Sequence, residues 1–219
     1  MKALESPNLS ASAKIMQKII TIVLVLAVIV TVLIFILKES PKITNYPPQG
    51  KIIVAFGDSL VEGAGAKAGN DFVSLLSLRI GEPIINLGVP GNTSADGLLR
   101  IEQVNEEDPK VVLVLLGGND FLRKVPIVET FKNIDSIVLK LQSEGAVVVL
   151  LGIKGGLLGD QYAEYFENIA ESRGALYVPN VLAGLLGNSE FMDDSIHPND
   201  AGYKKIAEKI YPVLEKALK

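Results

Sequence analysis

The ten residues KIIVAFGDSL, positions 51–60, decide how the rest of the chain is read. After Lys51 the run is apolar with no polar alternation, the pattern of a strand buried on both faces of a sheet. It passes directly into Gly57-Asp58-Ser59, a small-residue turn that ends in a hydroxyl. A strand buried on both faces needs helices on both faces, so strand-like and helix-like segments should alternate downstream. Short apolar runs recur at 83–87 (PIINL), 111–116 (VVLVLL), 146–151 (AVVVLL) and 175–178 (ALYV). Helical spacing fills the intervals. Phe72, Leu75, Leu76 and Ile80 precede Gly81, and Thr93-x-x-Asp96 forms a capping-box pattern ahead of Leu98, Leu99 and Ile101. Ile127, Phe131, Ile134, Val138 and Leu141 precede Gly145, and Tyr162, Phe166, Ile169 and Ala170 precede Gly174. Ile206, Ile210, Val213 and Ala217 mark a last helix, with a kink or break expected at Pro212. This alternation predicts a three-layer α/β/α domain: about five parallel strands, right-handed crossovers and helices on both faces. Ligands of such sheets gather outside the carboxyl ends of the strands.

Composition narrows the chemistry. The 219 residues include no Cys and one His, His197. That excludes a disulfide framework, a thiolate nucleophile, Cys-ligated metal and any site needing two imidazoles. Residues 1–50 carry a net charge of +3 and residues 51–219 a net charge of −7. The acidic domain has no basic patch, so nucleic acid is not an expected partner.

The mean hydropathy of +0.35 is high because of one segment. Positions 19–37 contain no charge and no Pro, and only Thr21 and Thr31 are polar. Nineteen helical residues span roughly 28 Å, close to the ~30 Å hydrocarbon core of a bilayer. A cleaved signal peptide is the nearest alternative, but its apolar core is usually about 7–15 residues and ends at a small-x-small site. The sequence Leu37-Lys38-Glu39-Ser40-Pro41 has no such site. The expected organisation is a leader at 1–14, a single-pass transmembrane signal anchor at 15–37, a Pro-containing polar tether at 38–50 and a domain at 51–219. Lysines flank the anchor on both sides, so charge alone orients it weakly. The domain is expected on the extracytoplasmic side of the cell membrane.

Four segments after the strands carry groups that could react. Ser59 follows the first strand. The stretch Asn86-Leu87-Gly88-Val89-Pro90-Gly91-Asn92-Thr93 follows the second, and Gly117-Gly118-Asn119-Asp120 the third. Asp194-Ser195-Ile196-His197-Pro198-Asn199 precedes the last helix. Each reads equally as an ordinary turn or cap when taken alone. Together they bring a hydroxyl, an imidazole with a carboxylate three residues before it, a Gly-rich backbone and a side-chain amide to one sheet edge. That is the set needed for nucleophilic acyl transfer.

These four segments, in this order and spacing, resemble the four signature blocks of the SGNH hydrolases, the GDSL esterase/lipase superfamily. The likeness spans about residues 51–217. It is greatest to the small bacterial branch of thioesterase, arylesterase and lysophospholipase enzymes. The resemblance implies a flavodoxin-like sheet, with Ser59 as nucleophile, His197 as general base and acid, and Asp194 orienting it. It selects Asp194 over Asp193 by its D-x-x-H spacing. It further implies an oxyanion hole from Ser59 N–H, Gly91 N–H and the Asn119 amide, and no metal or organic cofactor. Asp58 would support the Ser59 turn. The anchor at 15–37 has no counterpart in the family pattern.

The expected activity is hydrolysis of carboxylic esters, with thioesters or lysophospholipids as further candidates. Deacetylation of envelope polysaccharide is the alternative, and a catalytically silent tethered binding module is a second. The stretch 152–160 (GIKGGLLGD) either walls an acyl site or is a plain connection.

Overall fold

The computed structural model describes residues 11–37, 42–154 and 161–219. They form two units, 1–41 and 42–219. The first holds helix α1 (Ala11–Leu37), whose apolar side chains from Ile15 to Leu33 are 52–63% exposed where described. Among the described residues no helix is long and apolar enough to cross a membrane. The transmembrane helix expected at 15–37 thus finds no support among the described residues.

The second unit runs β1 (Ile52–Gly57), α2 (Ser59–Glu62), α3 (Phe72–Ile80), β2 (Ile84–Gly88), α4 (Ser94–Leu99), α5 (Glu102–Asn105) and β3 (Pro109–Leu115). It continues with α6 (Gly118–Leu122), α7 (Ile127–Ser143), β4 (Val147–Leu151), α8 (Gln161–Arg173), β5 (Leu176–Val178) and α9 (Asp200–Leu218). The five strands pair in parallel in the order β2-β1-β3-β4-β5. The chain leaves β1 toward one side for β2 and returns to its other side for β3. That reversal opens a crevice at the carboxyl ends of β1 and β3, where ligands collect in sheets of this kind.

Burial follows strand position. Ile53, Val54, Ala55 and Phe56 of β1, and every residue of β4, are buried. The edge strand β2 is only half covered. Helices α3 and α9 pack together through stacked Phe72 and Tyr203. On α7, Phe131 meets Tyr162, Tyr165 and Phe166 of α8 at 4.8–4.9 Å between ring centroids.

Three local expectations change. Of the kink or break expected at Pro212, the break does not occur, and helix α9 runs on to Leu218. Leu99, expected on the buried face of its helix, is exposed. The tether expected at 38–50 divides, with 38–41 lying outside the described residues and 42–50 belonging to the domain. Thr44 N–H donates to Gly174 O at 2.9 Å and its hydroxyl to Arg173 O at 2.7 Å. The Asn45 amide donates to Gln142 O at 2.7 Å and Ala146 O at 3.0 Å. Polar residues that the sequence offers as solvated linker thus satisfy carbonyls exposed at the ends of α7 and α8.

Candidate active site

Strand β1 ends at Gly57, where a Cβ would lie 2.2 Å from Leu115 O. Only glycine lets β1 and β3 stay this close. Asp58 follows as the cap of α2, its Oδ1 accepting from Leu60 N–H at 3.0 Å. The carboxyl is 3% exposed. Burial pushes its pKa up to about 6, against the lowering effects of the Leu60 N–H and then of His197. Ser59 is the first residue of α2, half-buried at the sheet's carboxyl edge.

The loop after β2 is braced by Asn86. Its Nδ2 donates to Val61 O at 2.7 Å and its Oδ1 accepts from Gly88 N–H at 2.9 Å. Gly91 has φ +79°, a left-handed conformation that favours glycine, and its carbonyl accepts from Arg123 Nη2 at 2.8 Å. Thr93 and Asp96 make the expected capping box. Gly117, with φ +109°, turns the chain from β3 into α6. Asn119 therefore lies on a helical turn and not in an open Gly-rich loop. Its Nδ2 donates to Asn92 O at 3.0 Å and to Asp58 Oδ2 at 3.3 Å. The next residue, Asp120, is fully buried and accepts from Ser94 N–H at 2.8 Å and the Ser94 hydroxyl at 2.5 Å.

The imidazole arrives from the other end of the sequence. Asp194 Oδ1 accepts from the N–H groups of Ile196 and His197, each at 2.7 Å. Its Oδ2 lies 2.8 Å from His197 Nδ1. These three bonds hold the carboxyl down at about pKa 2, the imidazole contact being the largest cause. With Nδ1–H donating to that carboxylate, Nε2 is left to accept from the Ser59 hydroxyl, 3.1 Å away. Asp193 takes no part in the ring contact; its N–H donates to His197 O at 2.9 Å. The turn is seated by Asp200, which accepts from Lys67 N–H at 2.8 Å and Asn70 Nδ2 at 2.9 Å. Tyr203 adds a bond to Ala64 O at 2.9 Å.

Asp58, Ser59, Asn119 and His197 face one open cleft of about 570 Å³. Its walls are mainly apolar, with Phe121, Leu122, Ile153, Leu182, Leu186 and Ile196 prominent, and Lys154 and Asn180 supply polar groups. Of the stretch 152–160, Ile153 and Lys154 line the cleft, and residues 155–160 lie outside the described residues. Ser59, Asn119, Asp194 and His197 are brought together. Gly91 stands beside Asn92, whose carbonyl holds the Asn119 amide. Sequence reasoning gave no role to Asn92, Arg100, Asp120 or the wall 180–186. Asn92 and Asp120 stand inside the segments singled out, yet their roles are not legible there, because each acts on a partner distant in sequence.

Comparison with known proteins points the same way. A family model for GDSL-like lipases and acylhydrolases matches residues 55–205. Esterase TesA of Pseudomonas aeruginosa is 34% identical over 179 residues, which cover 76% of this chain and 89% of that protein. The arylesterase of Vibrio mimicus is 29% identical over 178 residues, with the same coverage of 76% and 89%. The crystal structure of TesA matches the fold with a TM-score of 0.72 at 31% identity, over 77% of this chain and 100% of that one. The family match runs from within β1 through the Ser59 corner to the His197 turn, and on it the chain belongs to the GDSL-like lipase/acylhydrolase family of ester-hydrolysing enzymes.

Proposed function

We propose that the chain is a membrane-anchored serine esterase in which Ser59, His197 and Asp194 act as a triad. The observation that carries this reading is the continuous contact from Asp194 Oδ2 through the imidazole to Ser59 Oγ, at 2.8 and 3.1 Å. Ser59 attacks the ester carbonyl, His197 Nε2 takes its proton, and Asp194 stabilises the imidazolium that results. The same imidazole returns the proton to the leaving alcohol. Water then repeats the sequence on the acyl-enzyme. Ser59 N–H, Gly91 N–H and the Asn119 amide meet the oxyanion, and each such donor is worth about 2.7–4 kcal/mol in the barrier. Asn119 comes to this task oriented by Asn92 O, and the N–H that otherwise reaches Asp58 Oδ2 at 3.3 Å is the one given to the oxyanion.

The apolar cleft suits an acyl group longer than acetyl, so carboxylic esters of medium chain are the favoured substrates, with thioesters and lysophospholipids next. A panel of p-nitrophenyl esters of rising chain length, acyl-CoA, lysophospholipid and acetylated glycan tests this on residues 42–219. Hydrolysis of the glycan alone would replace this substrate reading with polysaccharide deacetylation. Retention of ester activity in Ser59→Ala, free of host esterase, would overturn the triad. Chelation with EDTA is expected to leave the rate unchanged, since the nucleophile is activated by an imidazole.

The anchor reading rests on the charge-free run at 19–37 and on the exposure of the described apolar residues of α1. The domain then works outside the cytoplasm, held at the cell membrane by residues 15–37. Protease added to intact cells should release the domain and leave a small membrane-bound fragment. A domain protected until lysis would reverse the orientation, and release of the full chain by alkaline carbonate would remove the anchor.

A further inference from the structure

We propose that Arg100 is a positioning residue for ester hydrolysis, linking the loops that carry the three oxyanion donors; this rests on the triad and oxyanion roles proposed above. Arg100 follows α4, and its half-buried side chain turns in beneath the site. Nη2 donates to Gly57 O at 2.7 Å, and Nε donates to Asn92 Oδ1 at 2.6 Å. The guanidinium carbon lies 4.2 Å from the centroid of the Phe56 ring. Gly57 stands two residues before Ser59, and Asn92 immediately follows Gly91. The Asn92 carbonyl in turn accepts from Asn119 Nδ2 at 3.0 Å. One guanidinium and one asparagine therefore join the Ser59 corner, the Gly91 loop and the Asn119 turn in a single chain of bonds. Gly57 O also accepts from Val89 N–H at 3.0 Å, so this carbonyl is where the first two loops meet.

The placement is costly for a residue that only fills space. Among the described residues Arg100 makes no ion pair, and its buried Nη1 has no hydrogen-bond partner. A guanidinium bonded only to neutral oxygens, with one nitrogen left over, has no contact carboxylate, and only the field of Asp96 offsets its burial. The guanidinium also lies over the Phe56 ring, which has no exposed surface in the folded chain. What the fork adds is a fixed separation between Gly57 and Asn92, and hence between Ser59 N–H and Gly91 N–H. Three donors meet one oxyanion only if that separation is held, and a misplacement of about 1 Å can cost 10²-fold in rate.

The test compares Arg100→Met, Arg100→Lys and Asn92→Ala with wild type on a short-chain p-nitrophenyl ester. Active sites are titrated with diethyl p-nitrophenyl phosphate, so that kcat refers to competent protein alone. Arg100→Met should lower kcat per titrated site by about 10–100-fold, with KM changed less than about threefold. Arg100→Lys should recover part of the loss, because an ammonium can still reach Gly57 O. The pH midpoint of kcat should stay in place, since the His197–Asp194 pair is untouched. A kcat per titrated site within twofold of wild type would overturn the proposal and leave Arg100 a structural residue. So would a loss confined to KM, or a shifted pH midpoint. If Arg100→Met does not fold, Asn92→Ala removes the Nε contact alone and is judged by the same outcomes. Ser59→Ala runs in parallel: if it turns over, the triad reading fails and takes this proposal with it, whereas an inert Ser59→Ala beside a fully active Arg100→Met defeats only the role of Arg100.

Discussion

The turn that carries His197 and the corner that carries Ser59 meet across 3.1 Å, yet they are built in opposite ways. The turn closes on itself. Asp194 binds two backbone N–H groups and one ring nitrogen, all within three residues, and half of its side chain stays in water. The corner closes on the rest of the domain. Asp58 is buried and reaches Asn119, 61 positions away, while Gly57 O is held by Arg100, 43 positions away. Their carboxyls diverge accordingly, to about 2 for Asp194 and about 6 for Asp58. Local hydrogen bonds stabilise one charge, and burial opposes the other. The His197 ring can be oriented by a few neighbouring residues, whereas the turns of Ser59, Gly91 and Asn119 need the finished sheet.

The largest effect tests whether the two regions form one machine. Ser59→Ala and His197→Ala should each lower kcat on a short-chain ester by roughly 10⁵–10⁶-fold, and the double variant should lose little more. Additive losses would mean that the two regions act separately. Asp194→Asn probes the self-contained turn: kcat should fall by about 10⁴-fold through loss of the correct imidazole tautomer, while thermal unfolding moves little because the side chain is exposed. Asn119→Ala probes the assembled side, with a fall of about 10²–10³-fold in kcat and little change in KM.

A smaller effect reads the buried carboxyl directly. Its pKa lies above the ordinary value of 3.8, at about 6, so its contribution to stability is greatest below the ordinary value and is lost as pH rises to 6. Compared with Asp58→Asn, the wild type should lose on the order of 3 kcal/mol between pH 3.5 and 7, measured by urea unfolding. A difference that is flat with pH would mean that Asp58 is solvated. The smallest expected effect lies at the opposite sheet edge. Asn45→Ala should cost about 1–2 kcal/mol of stability, as two hydrogen bonds are lost, with kcat unchanged.

The same contrast explains what the sequence could tell. Strands show as apolar runs rich in β-branched residues, and four of the five stand within a residue of their expected limits, while β3 starts two residues early at Pro109. The Asp194–His197 pair is legible because its spacing is its geometry. Arg100 is not, because its partners Asn92 and Gly57 stand 8 and 43 positions away. Asp96, four residues before it, is taken up by the Thr93 cap as its spacing predicts, and the arginine turns inward. Asp120 and Asn92 are equally silent, since their partners are fixed by the crossovers and not by neighbours. The polar composition of 42–50 suggests a linker, and only the ends of α7 and α8, exposing the carbonyls of Gln142 and Arg173, turn it into a docked segment.

That docked segment also decides where the domain bears load. Tension drawn along the chain toward its N-terminus enters at Thr44 and Asn45 and passes to Gln142, Ala146, Arg173 and Gly174. Ala146 and Gly174 lie just before β4 and β5, at the amino-terminal edge of a sheet whose opposite edge holds Ser59 and Asn119. Four hydrogen bonds at Thr44 and Asn45 thus act as a strain relief. A pull from that end therefore loads these bonds first, at the sheet edge remote from the 3.1 Å contact between hydroxyl and imidazole.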